Sequence, residues 1–451
     1  MVKGDKMTSG EKDKQYVMRV AKEHGIKFVR LWFTDILGFL KSFAITVGEL
    51  EGALEEGMGF DGSSIEGFAR IDESDMIAYP DPSTFVVLPW RANEGYGVAR
   101  MFCDIRMPDG SPFVGDPRFV LKRNLKEATD LGYTYYVGPE LEYFYFKNAQ
   151  GTEPLDRGGY FDLTPLDLAS DLRRDTVIAL EKLGIAVEYS HHEVAPSQHE
   201  IDLKYCDAFT MADNAMTYRL VVKEVAMQHG VHATFMPKPM FGENGSGMHV
   251  HQSLFNGERN VFFDANDQYH LSAIGKHYIA GLLKHASEIC LVLSQWVNSY
   301  KRLVPGYEAP VYISWATRNR SDLVRVPMYQ PGKETSTRVE FRSPDPACNP
   351  YLAFAVMLAA GLEGIRNKYE LPPPIERNVY EMTARERADH GIGVLPENLW
   401  EAIKITEQSE LVRRALGEHV FTNFIANKKL EWEKYRSQVT EFELREYLPV
   451  L

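Results

Sequence analysis

The chain has 451 residues, of which 44% are hydrophobic and 25% charged, and this ordinary composition excludes collagen-like, low-complexity and largely disordered proteins. The formal net charge is −13, whereas proteins that grip nucleic-acid phosphates are expected to carry a basic face. The four cysteines are widely spaced without a CxxC pair, so we expect a reducing, cytoplasmic location. The longest apolar run, residues 351–362, is too short to span a bilayer. We therefore expect no direct nucleic-acid partner and no membrane association.

The first part of the chain is predicted to be a small α+β unit. Its predicted elements are a helix at 11–24, strands at 27–33 and 41–45, a helix at 49–56, and strands at 84–88 and 97–103. The turn-rich segment 107–112 follows, and it places a domain boundary near residue 110.

The remainder, residues 111–451, is predicted to be one larger domain of mixed helices and strands. Its predicted elements are a helix at 117–131, strands at 133–136 and 140–146, a helix at 168–183, a strand at 186–189, and helices at 210–229 and 351–364. The C-terminal third is predicted to be mostly helical. The last eight residues, LREYLPVL, are largely apolar, which predicts either docking onto their own chain or insertion into another subunit.

Glu140 and Glu142 stand two residues apart in the predicted strand 140–146, so both carboxylates point to one face. Adjacent carboxylates repel each other unless a cation or a proton lies between them. The pair therefore indicates either a metal site or a solvated strand face.

Two further segments carry imidazoles beside carboxylates or glycines. HHEVAPSQHE separates Glu193 from Glu200 by a Pro-Ser turn and lacks the HExxH spacing of zinc proteases. GENGSGMHVH is a glycine-rich turn entering a strand with His249 and His251 on one face, and its glycines allow close approach of a ligand. By itself, the first segment is also compatible with a polar loop, and the second with a hairpin followed by two surface histidines.

Arginines are concentrated between residues 302 and 342 of this acidic chain. The guanidinium fork suits phosphate and carboxylate groups. Taken one at a time, these arginines are also compatible with a solvated basic face, and Arg342 with an ion pair to Glu340. Glu308 lies in a Gly- and Pro-punctuated loop of the kind that closes over active sites. Carboxylates and imidazoles without thiolates suit Mg²⁺ or Mn²⁺. Together with the arginines they indicate phosphoryl transfer.

Eight motifs follow one another over nearly the whole chain: DGSSIEGF, GPELEYF, RGGYFD, HHEVAP, FMPKPMFGENGSGMHVH, NSYKRLVPGYEAP, ATRNRS and RVEFRSPDPACNPYLA. In this order they resemble type I glutamine synthetase, and the short spacing between Glu142 and Tyr160 resembles its α subtype. The resemblance implies an α+β fold, with an N-terminal β-grasp domain (1–110) and a larger catalytic domain (111–451) with a curved antiparallel sheet and helices. The implied reaction is ATP-dependent ligation of ammonia to glutamate through γ-glutamyl phosphate, which serves nitrogen assimilation.

The resemblance also implies two divalent cations, Mg²⁺ or Mn²⁺, and ATP as a substrate. The ligands implied for one cation are Glu142, Glu193 and Glu200. The ligands implied for the second cation, which bridges the ATP phosphates, are Glu140, His249 and Glu340. The implied nucleotide contacts are Glu188, Tyr205, His251 and Ser253, and the implied phosphate contacts are Arg320 and Arg325.

Glutamate and ammonium sites follow from the same resemblance. The residues implied for glutamate are Asn244, Gly245, Arg302, Glu308 and Arg342. The residues implied for ammonium are Asp61 and Ser64 of a neighbouring subunit, together with Tyr160 and Glu308. Among these we expect Asp61 to take the proton from ammonium. Ser197 departs from the family pattern, which often has glycine there.

The implied assembly is a homododecamer of two hexameric rings with active sites between subunits. Arg70 stands where α-type enzymes carry an arginine linked to glutamine feedback, and a small regulatory protein of the PII type is a possible partner. Tyr380 resembles the position of the tyrosine that is adenylylated in the β subtype, but its surroundings are α-type and we expect no modification. The rival interpretations are a γ-glutamyl-amine ligase, a catalytically dead relative, and an enzyme with an added regulatory role.

Overall fold

The computed structural model describes residues 9–65, 75–90, 96–307, 309–319 and 321–451. Within these ranges the N-terminal unit comprises α1 (Ser9–Glu23), β1 (Ile26–Thr34), β2 (Leu40–Thr46), α2 (Leu50–Glu56), β3 (Met58–Asp61), β4 (Asp75–Pro80), β5 (Val86–Val87) and β6 (Gly97–Arg106). The strand order is β2-β1-β6-β4-β3, with β5 beside β6. Only the central pair β1 and β6 runs parallel among the described strand pairs of this sheet.

The predicted hairpin at the start of this unit is confirmed. β1 and β2 pair antiparallel from Phe28 opposite Thr46 to Thr34 opposite Leu40. Gly38 in the connecting turn has φ +85°, and a Cβ there would lie 2.8 Å from the Cα of Asn349. Glycine is therefore required both by the left-handed backbone and by the close approach of the larger unit.

The strand predicted at 84–88 is wrong in length, since only Val86–Val87 is extended and paired. The Asp81 side chain accepts a hydrogen bond from the Ser83 amide and caps a short 3-10 turn over Pro82–Thr84. This Asp-Pro-Ser-Thr turn chemistry outweighs the strand preference of Thr84.

The larger unit is built on a second sheet. Its described strands are β7 (Thr134–Phe146), β8 (Val187–His192), β9 (Gln198–Leu203), β10 (Cys206–Asp207), β11 (His232–Thr234), β12 (Met248–Asn256), β13 (Arg259–Asn260), β14 (Tyr312–Ile313), β15 (Trp315–Ala316), β16 (Val324–Arg325), β17 (Val339–Phe341) and β18 (Gly393–Val394). The order is β15-β16-β17-β12-β7-β9-β8, with β10 and β11 beside β7 and β13 beside β12. β14 and β18 pair separately.

Helices cover this sheet and form the C-terminal part. They are α3 (Pro117–Asp130), α4 (Ser170–Lys182), α5 (Ala208–Gln228), α6 (Ala273–Lys284), α7 (Ala286–Leu293), α8 (Ser299–Arg302), α9 (Pro350–Asn367), α10 (Ala384–Asp389), α11 (Leu399–Glu407), α12 (Glu410–Leu416), α13 (Glu418–Arg436) and α14 (Glu441–Tyr447). α9 is apolar around most of its circumference because it is buried on nearly every side. None of the helices in the described residues is both long enough and apolar enough to cross a bilayer.

The prediction of two strands at 133–136 and 140–146 is wrong, because β7 is continuous. β12 pairs with β7 without a break from Thr134 to Leu141, and Pro139 lies opposite Val250 within that ladder. Hydrogen bonds on both sides of the proline carry the strand through a residue that normally marks an edge. The continuity matters because it holds the segment before Gly138 and the glutamates after it in one register.

The C-terminal third is helical only after residue 350, since β15, β16 and β17 complete the large sheet before it. Of the two predictions for the last residues, docking onto their own chain is wrong. Leu448 is 76% exposed and Val450 74% exposed. The apolar tail is therefore left uncovered by this chain.

A buried arginine joins the two units. The guanidinium of Arg118 on α3 donates to Asp104 at 2.9 Å and to Asp81 at 3.1 Å in the N-terminal unit, and to Asp213 on α5 at 2.9 Å. The hydroxyl of Tyr351 on α9 donates to the other oxygen of Asp213. The Arg118 side chain is fully buried. Lys122 also pairs with Asp104, whereas the buried carboxylate of Asp213 forms its ion pair with Arg118.

We predict that Arg118→Met destabilises the protein by about 3–5 kcal/mol, because it removes the ion-pair partner of the buried Asp213 carboxylate. Lys126→Met on the same helix is the control, since Lys126 forms an exposed pair with Asp130 worth no more than about 1 kcal/mol. Urea unfolding measures both. Equal losses in the two variants would show that the buried network contributes nothing special.

Candidate active site

Neighbouring strands of the large sheet bring the predicted metal ligands onto one face. Glu140 on β7 lies opposite His249 on β12, and Glu142 lies opposite Glu200 on β9. Glu340 on β17 lies on the other side of β12. Since side chains two residues apart on a strand share a face, the pairs predicted from sequence converge from separate strands.

One cluster comprises Glu140, His249 and Glu340, whose ligand atoms lie within 4.8 Å of one another. Burial alone would raise the pKa of Glu340, but Arg342 and the nearby imidazoles outweigh it and hold the pKa at about 2. Arg342 and Arg325 both donate to this carboxylate. Burial and Arg342 lower the pKa of His249 to about 4, and the neutral imidazole is the form that binds metals.

The second cluster comprises the buried side chains of Glu142, Glu193 and Glu200. Burial, followed by the charge of Glu193, raises the pKa of Glu142 to about 8. Burial and four neighbouring carboxylates, with Asp202 first, raise the pKa of Glu200. The buried Oε1 of Glu200 has no hydrogen-bond partner among the described residues. Crowded, under-satisfied carboxylate oxygens are the donor set that hard divalent cations require.

Gly247 leaves open the space between the two clusters. A Cβ on this residue would lie 2.7 Å from Nη2 of Arg302, 3.1 Å from Nε2 of His249 and 3.3 Å from Oε1 of Glu142. Atoms from both clusters therefore face one small volume that only glycine keeps free. The residues present fit the metal ions that the sequence predicts.

A cavity of about 620 Å³ opens over these groups. Of the residues predicted to hold glutamate, those that line it are Asn244, Gly245, Arg302 and Arg342. Arg302 is buried and its guanidinium donates to the carbonyl oxygens of Arg342, Ser343 and Pro344. These contacts fix the guanidinium at the cavity wall, where it can meet a carboxylate.

A smaller cavity of about 190 Å³ lies on the other side of Glu140. Of the residues predicted to contact the nucleotide, those that line it are Glu188, Tyr205, His251 and Ser253. Arg338 donates to Nδ1 of His251 at 3.1 Å, so Nε2 carries the hydrogen and donates to Glu140 at 2.7 Å. Glu140 and Tyr189 line both cavities, which therefore meet at a predicted metal ligand.

Comparison with known proteins agrees with this arrangement. The catalytic-domain model of the glutamine synthetase family matches residues 114–447, and the β-grasp-domain model of that family matches residues 25–108. A glutamine synthetase of Mycolicibacterium smegmatis is 58% identical over 97% of this chain and 99% of its own length. One of Methanosarcina mazei is 53% identical over 97% and 98%, respectively. A solved structure named as a GmaS/ADP complex has a TM-score of 0.87 at 31% identity, covering 96% of this chain and 99% of its own.

The chain belongs to the glutamine synthetase family. It is a type I enzyme that synthesises glutamine in an ATP-dependent reaction. Its fold is the expected α+β arrangement of an N-terminal β-grasp domain and a larger catalytic domain with a curved sheet and helices.

Among the described residues of this glutamine synthetase, Asp61 and Ser64 do not join Tyr160 at the large cavity. Tyr160 lines the large cavity, but Asp61 and Ser64 are absent from the described lining of both cavities. Asp61 ends β3 in the N-terminal domain, where its side chain accepts a hydrogen bond from the Ser63 amide. That a neighbouring subunit supplies Asp61 and Ser64 stays a prediction.

Three predicted site residues lie outside the described residues: Arg70, Glu308 and Arg320. The chain neighbours of Glu308 and Arg320, which are Ala309, Asn319 and Ser321, line the large cavity. Arg325, the other predicted phosphate contact, also lines it and contacts Glu340.

Ser197, where the family often has glycine, adopts the left-handed conformation with φ +58°. This conformation is costly for residues with a Cβ. Its hydroxyl accepts hydrogen bonds from the amides of Leu155 at 2.6 Å and Asp156 at 3.2 Å. These bonds offset the strain and keep the turn before Glu200 intact, so the departure leaves the site in place.

Sequence reasoning missed several residues of the site. Asp202 and Gln198 flank Glu200 at two-residue spacing on β9, and that period was a usable signal. Tyr380 lines the large cavity and its hydroxyl donates to the carbonyl of Ala309 at 2.5 Å. No local pattern predicts this last contact, because 70 residues of chain separate its partners.

The raised pKa of Glu142 predicts a pH-dependent stability of the metal-free enzyme. Its folded pKa of about 8 exceeds the value of about 4.3 for an unfolded glutamate. Between these two pKa values, folding therefore takes up a proton at Glu142. The free energy of unfolding accordingly falls as pH rises through this range. We expect Glu142→Gln to make this fall shallower.

Urea midpoints between about pH 5 and about pH 8 in a chelator measure the slope. The control is Glu153→Gln, at an exposed position that should leave the slope unchanged. Adding Mn²⁺ should also flatten the wild-type curve, because a cation favours the ionised carboxylates. A slope identical in wild type and Glu142→Gln would show that Glu142 is already ionised in the metal-free fold.

Proposed function

We propose that the enzyme forms glutamine in two steps, through γ-glutamyl phosphate. The observation that carries this proposal is the pair of cavities that meet at Glu140. The smaller one has the predicted nucleotide contacts and the larger one the predicted glutamate contacts, so a terminal phosphate and a γ-carboxylate would face each other at their junction. The similar GmaS structure is named as an ADP complex, which supports a nucleotide in the smaller cavity.

Two divalent cations, Mg²⁺ or Mn²⁺, would bind at this junction. The ligands of one cation would be Glu142, Glu193 and Glu200. The ligands of the other would be Glu140, His249 and Glu340. When bound, the cations supply positive charge that offsets the charge of the transferring phosphoryl group.

The chain's own side chains orient the substrates. Arg302 and Arg342, with Asn244 and Gly245, would hold the glutamate, since both guanidiniums stand at the wall of the large cavity. Arg325, with Arg320, would face the phosphates and stabilise charge that develops on them. The residues that would hold the nucleotide are Glu188, Tyr205, His251 and Ser253.

Ammonium is not a nucleophile until it loses a proton. Asp61 and Ser64 of a neighbouring subunit would complete a site with Tyr160 and Glu308, in which carboxylates attract the cation. Asp61 would then accept the proton and release ammonia to attack the acyl phosphate. Glu308, on its loop, would exclude water that would otherwise hydrolyse the intermediate.

A homododecamer of two hexameric rings follows from the same proposal. Asp61 does not line the cavities of its own chain, and apolar side chains that follow Tyr160 in the chain are exposed: Leu163 is 79% exposed and Leu168 57%. These side chains favour contact with another subunit. The exposed tail that includes Leu448 and Val450 provides a second apolar contact, which we assign to the stacking of rings.

Regulation of the α type is also proposed. Arg70 would link the ammonium region to feedback inhibition by glutamine, and a PII-type protein is a candidate regulatory partner. Tyr380 would remain unmodified, because its hydroxyl already donates to Ala309. All four cysteines are unpaired thiols, which supports a cytoplasmic location.

The domain boundary near residue 110 is proposed as well. Residues 107–112 lie between β6 and α3. The two matched family segments, 25–108 and 114–447, leave this stretch between them, which supports the placement.

The acceptor specificity tests the proposed chemistry. We expect phosphate release from ATP with glutamate and Mg²⁺ to depend on ammonium, and Asp61→Ala to lower it about 10²–10⁴-fold. Hydroxylamine is already uncharged at neutral pH, so its turnover should fall much less in this variant. Turnover with a polyamine but not with ammonium would instead identify a γ-glutamyl-amine ligase.

Mixed assemblies test whether the site is shared between subunits. Asp61→Ala and Glu200→Gln chains are each expected to be inactive as pure assemblies. When the two chains are reassembled together at equal amounts, roughly a quarter of the sites should regain wild-type chemistry. These are the sites that receive an unaltered Asp61 from one chain and an unaltered Glu200 from the other. Absence of any recovery would place Asp61 and Glu200 in one chain's site.

Removal of residues 444–451 tests the tail. We expect the truncated enzyme to sediment as a single ring rather than as stacked rings, because its exposed apolar contact is lost. Glu446→Gln is the matched control within the same segment and should keep the wild-type size. A truncated protein that still sediments as a dodecamer would show that stacking does not need the tail.

A further inference from the structure

The side chain of Gln198 connects the predicted metal ligands to the glutamate loop, but it is not itself one of the residues assigned to the metals or to glutamate. It is 1% exposed. Its Nε2 donates to Oε2 of Glu142 at 2.8 Å and to the carbonyl of Gly245 at 3.1 Å. Its Oε1 accepts from the amide of Ala195 at 3.1 Å. Both acceptors require the nitrogen on their side, so the orientation of the amide is determined.

The backbone of Gln198 fixes the hairpin that carries two further ligands. Its carbonyl accepts from the amide of Glu193 at 2.8 Å, and its amide donates to the carbonyl of Ala195 at 3.0 Å. Glu200 follows two residues later on β9 and points to the same face. One residue therefore touches Glu142 through its side chain, holds Glu193 through its backbone, and precedes Glu200 on the same strand face.

The contact with Glu142 determines which carboxylate oxygen faces the cavity. Oε2 accepts both from Gln198 and from the amide of Gly247 at 3.0 Å. Oε1 points to the space beside Gly247 that His249 and Arg302 also face. With one oxygen satisfied by two donors, the other is presented to a cation in a single orientation.

The hydrogen bond from Gln198 to the carbonyl of Gly245 holds the glutamate loop in place. Asn244 and Gly245 lie in the loop that lines the large cavity and is assigned to glutamate. The two hydrogens of one amide group thus lead to a metal-ligating carboxylate and to the substrate loop. A shift of Glu142 or of the glutamate loop would therefore disturb the hydrogen bond that Gln198 donates to the other one.

We propose that Gln198 is a positioning residue that aligns Glu142 for a divalent cation and keeps the glutamate loop in register with it. The inference rests on the proposed function, since it assumes that Glu142 binds a cation and that the loop binds glutamate. Neither a carboxylate nor an apolar side chain can replace the amide, because the first repels Glu142 and the second donates no hydrogen bond.

The test compares Gln198→Leu with Gln295→Leu. Gln295 is also fully buried, and its Nε2 donates to the carbonyls of Leu37 at 2.7 Å and Ala347 at 3.1 Å. It lines neither cavity. Both variants lose two donated hydrogen bonds, so a general loss of stability affects them alike. Gln198→Asn, which keeps the amide but shortens its reach, is a second variant that disturbs folding less.

Mn²⁺ affinity is measured without nucleotide from the electron paramagnetic resonance signal of the free ion, and KM is measured separately for glutamate and ATP. We expect Gln198→Leu and Gln198→Asn to bind Mn²⁺ about 10–100-fold more weakly and to raise KM for glutamate more than KM for ATP. Gln295→Leu should match the wild type in all three values.

Wild-type Mn²⁺ affinity in the Gln198 variants, or a loss no larger than in Gln295→Leu, would overturn the positioning role while leaving the metal site standing. A wild-type enzyme that binds no Mn²⁺ would overturn the proposed metal site, and this inference with it.

Discussion

The large sheet brings buried carboxylates on β7, β9 and β17 close enough to repel one another, and much of the surrounding structure serves to offset that repulsion. The sheet supplies the proximity, since β7, β9, β12 and β17 hold their side chains at fixed register. Burial strengthens the repulsion because little water screens it. A fold that accepts this cost must provide partners for the charges, and it does so differently in the two halves of the site.

In one half, protein cations compensate the charge. Arg342 and Arg325 donate to Glu340. Burial alone would raise the pKa of Glu340, but Arg342 and the imidazoles of His251 and His249 outweigh it and hold the pKa at about 2. In the other half, burial and then the neighbouring carboxylate of Glu193 raise the pKa of Glu142 to about 8. In the first half, the positive side chains keep the carboxylate ionised. In the second half, the carboxylates need either a proton or an added cation. This asymmetry is the electrostatic basis for assigning divalent metals to the site.

The packing of the two domains keeps Asp61 away from the two cavities of its own chain. Arg118 anchors the N-terminal domain to α5 and α9 through Asp213 and Tyr351. Gly38 brings the β1–β2 turn against Asn349. These contacts leave Asp61 outside both cavities of its own chain, while apolar side chains that follow Tyr160 in the chain stay exposed. Assembly is thus part of the proposed chemistry, in which a second chain would bring Asp61 and Ser64 to the metal site.

The sequence by itself determined which residues could share a strand face. Two-residue spacing pairs Glu140 with Glu142 and His249 with His251, and the ordered motifs identify the family. Only the tertiary structure decided that β7 runs unbroken through Pro139, that the tail is uncovered by its own chain, and that Gln198 joins Glu142 to Gly245. The physical reason is range: strand periodicity is local and visible in the chain, whereas ladder register, burial and the pKa values that burial produces depend on residues far apart in sequence.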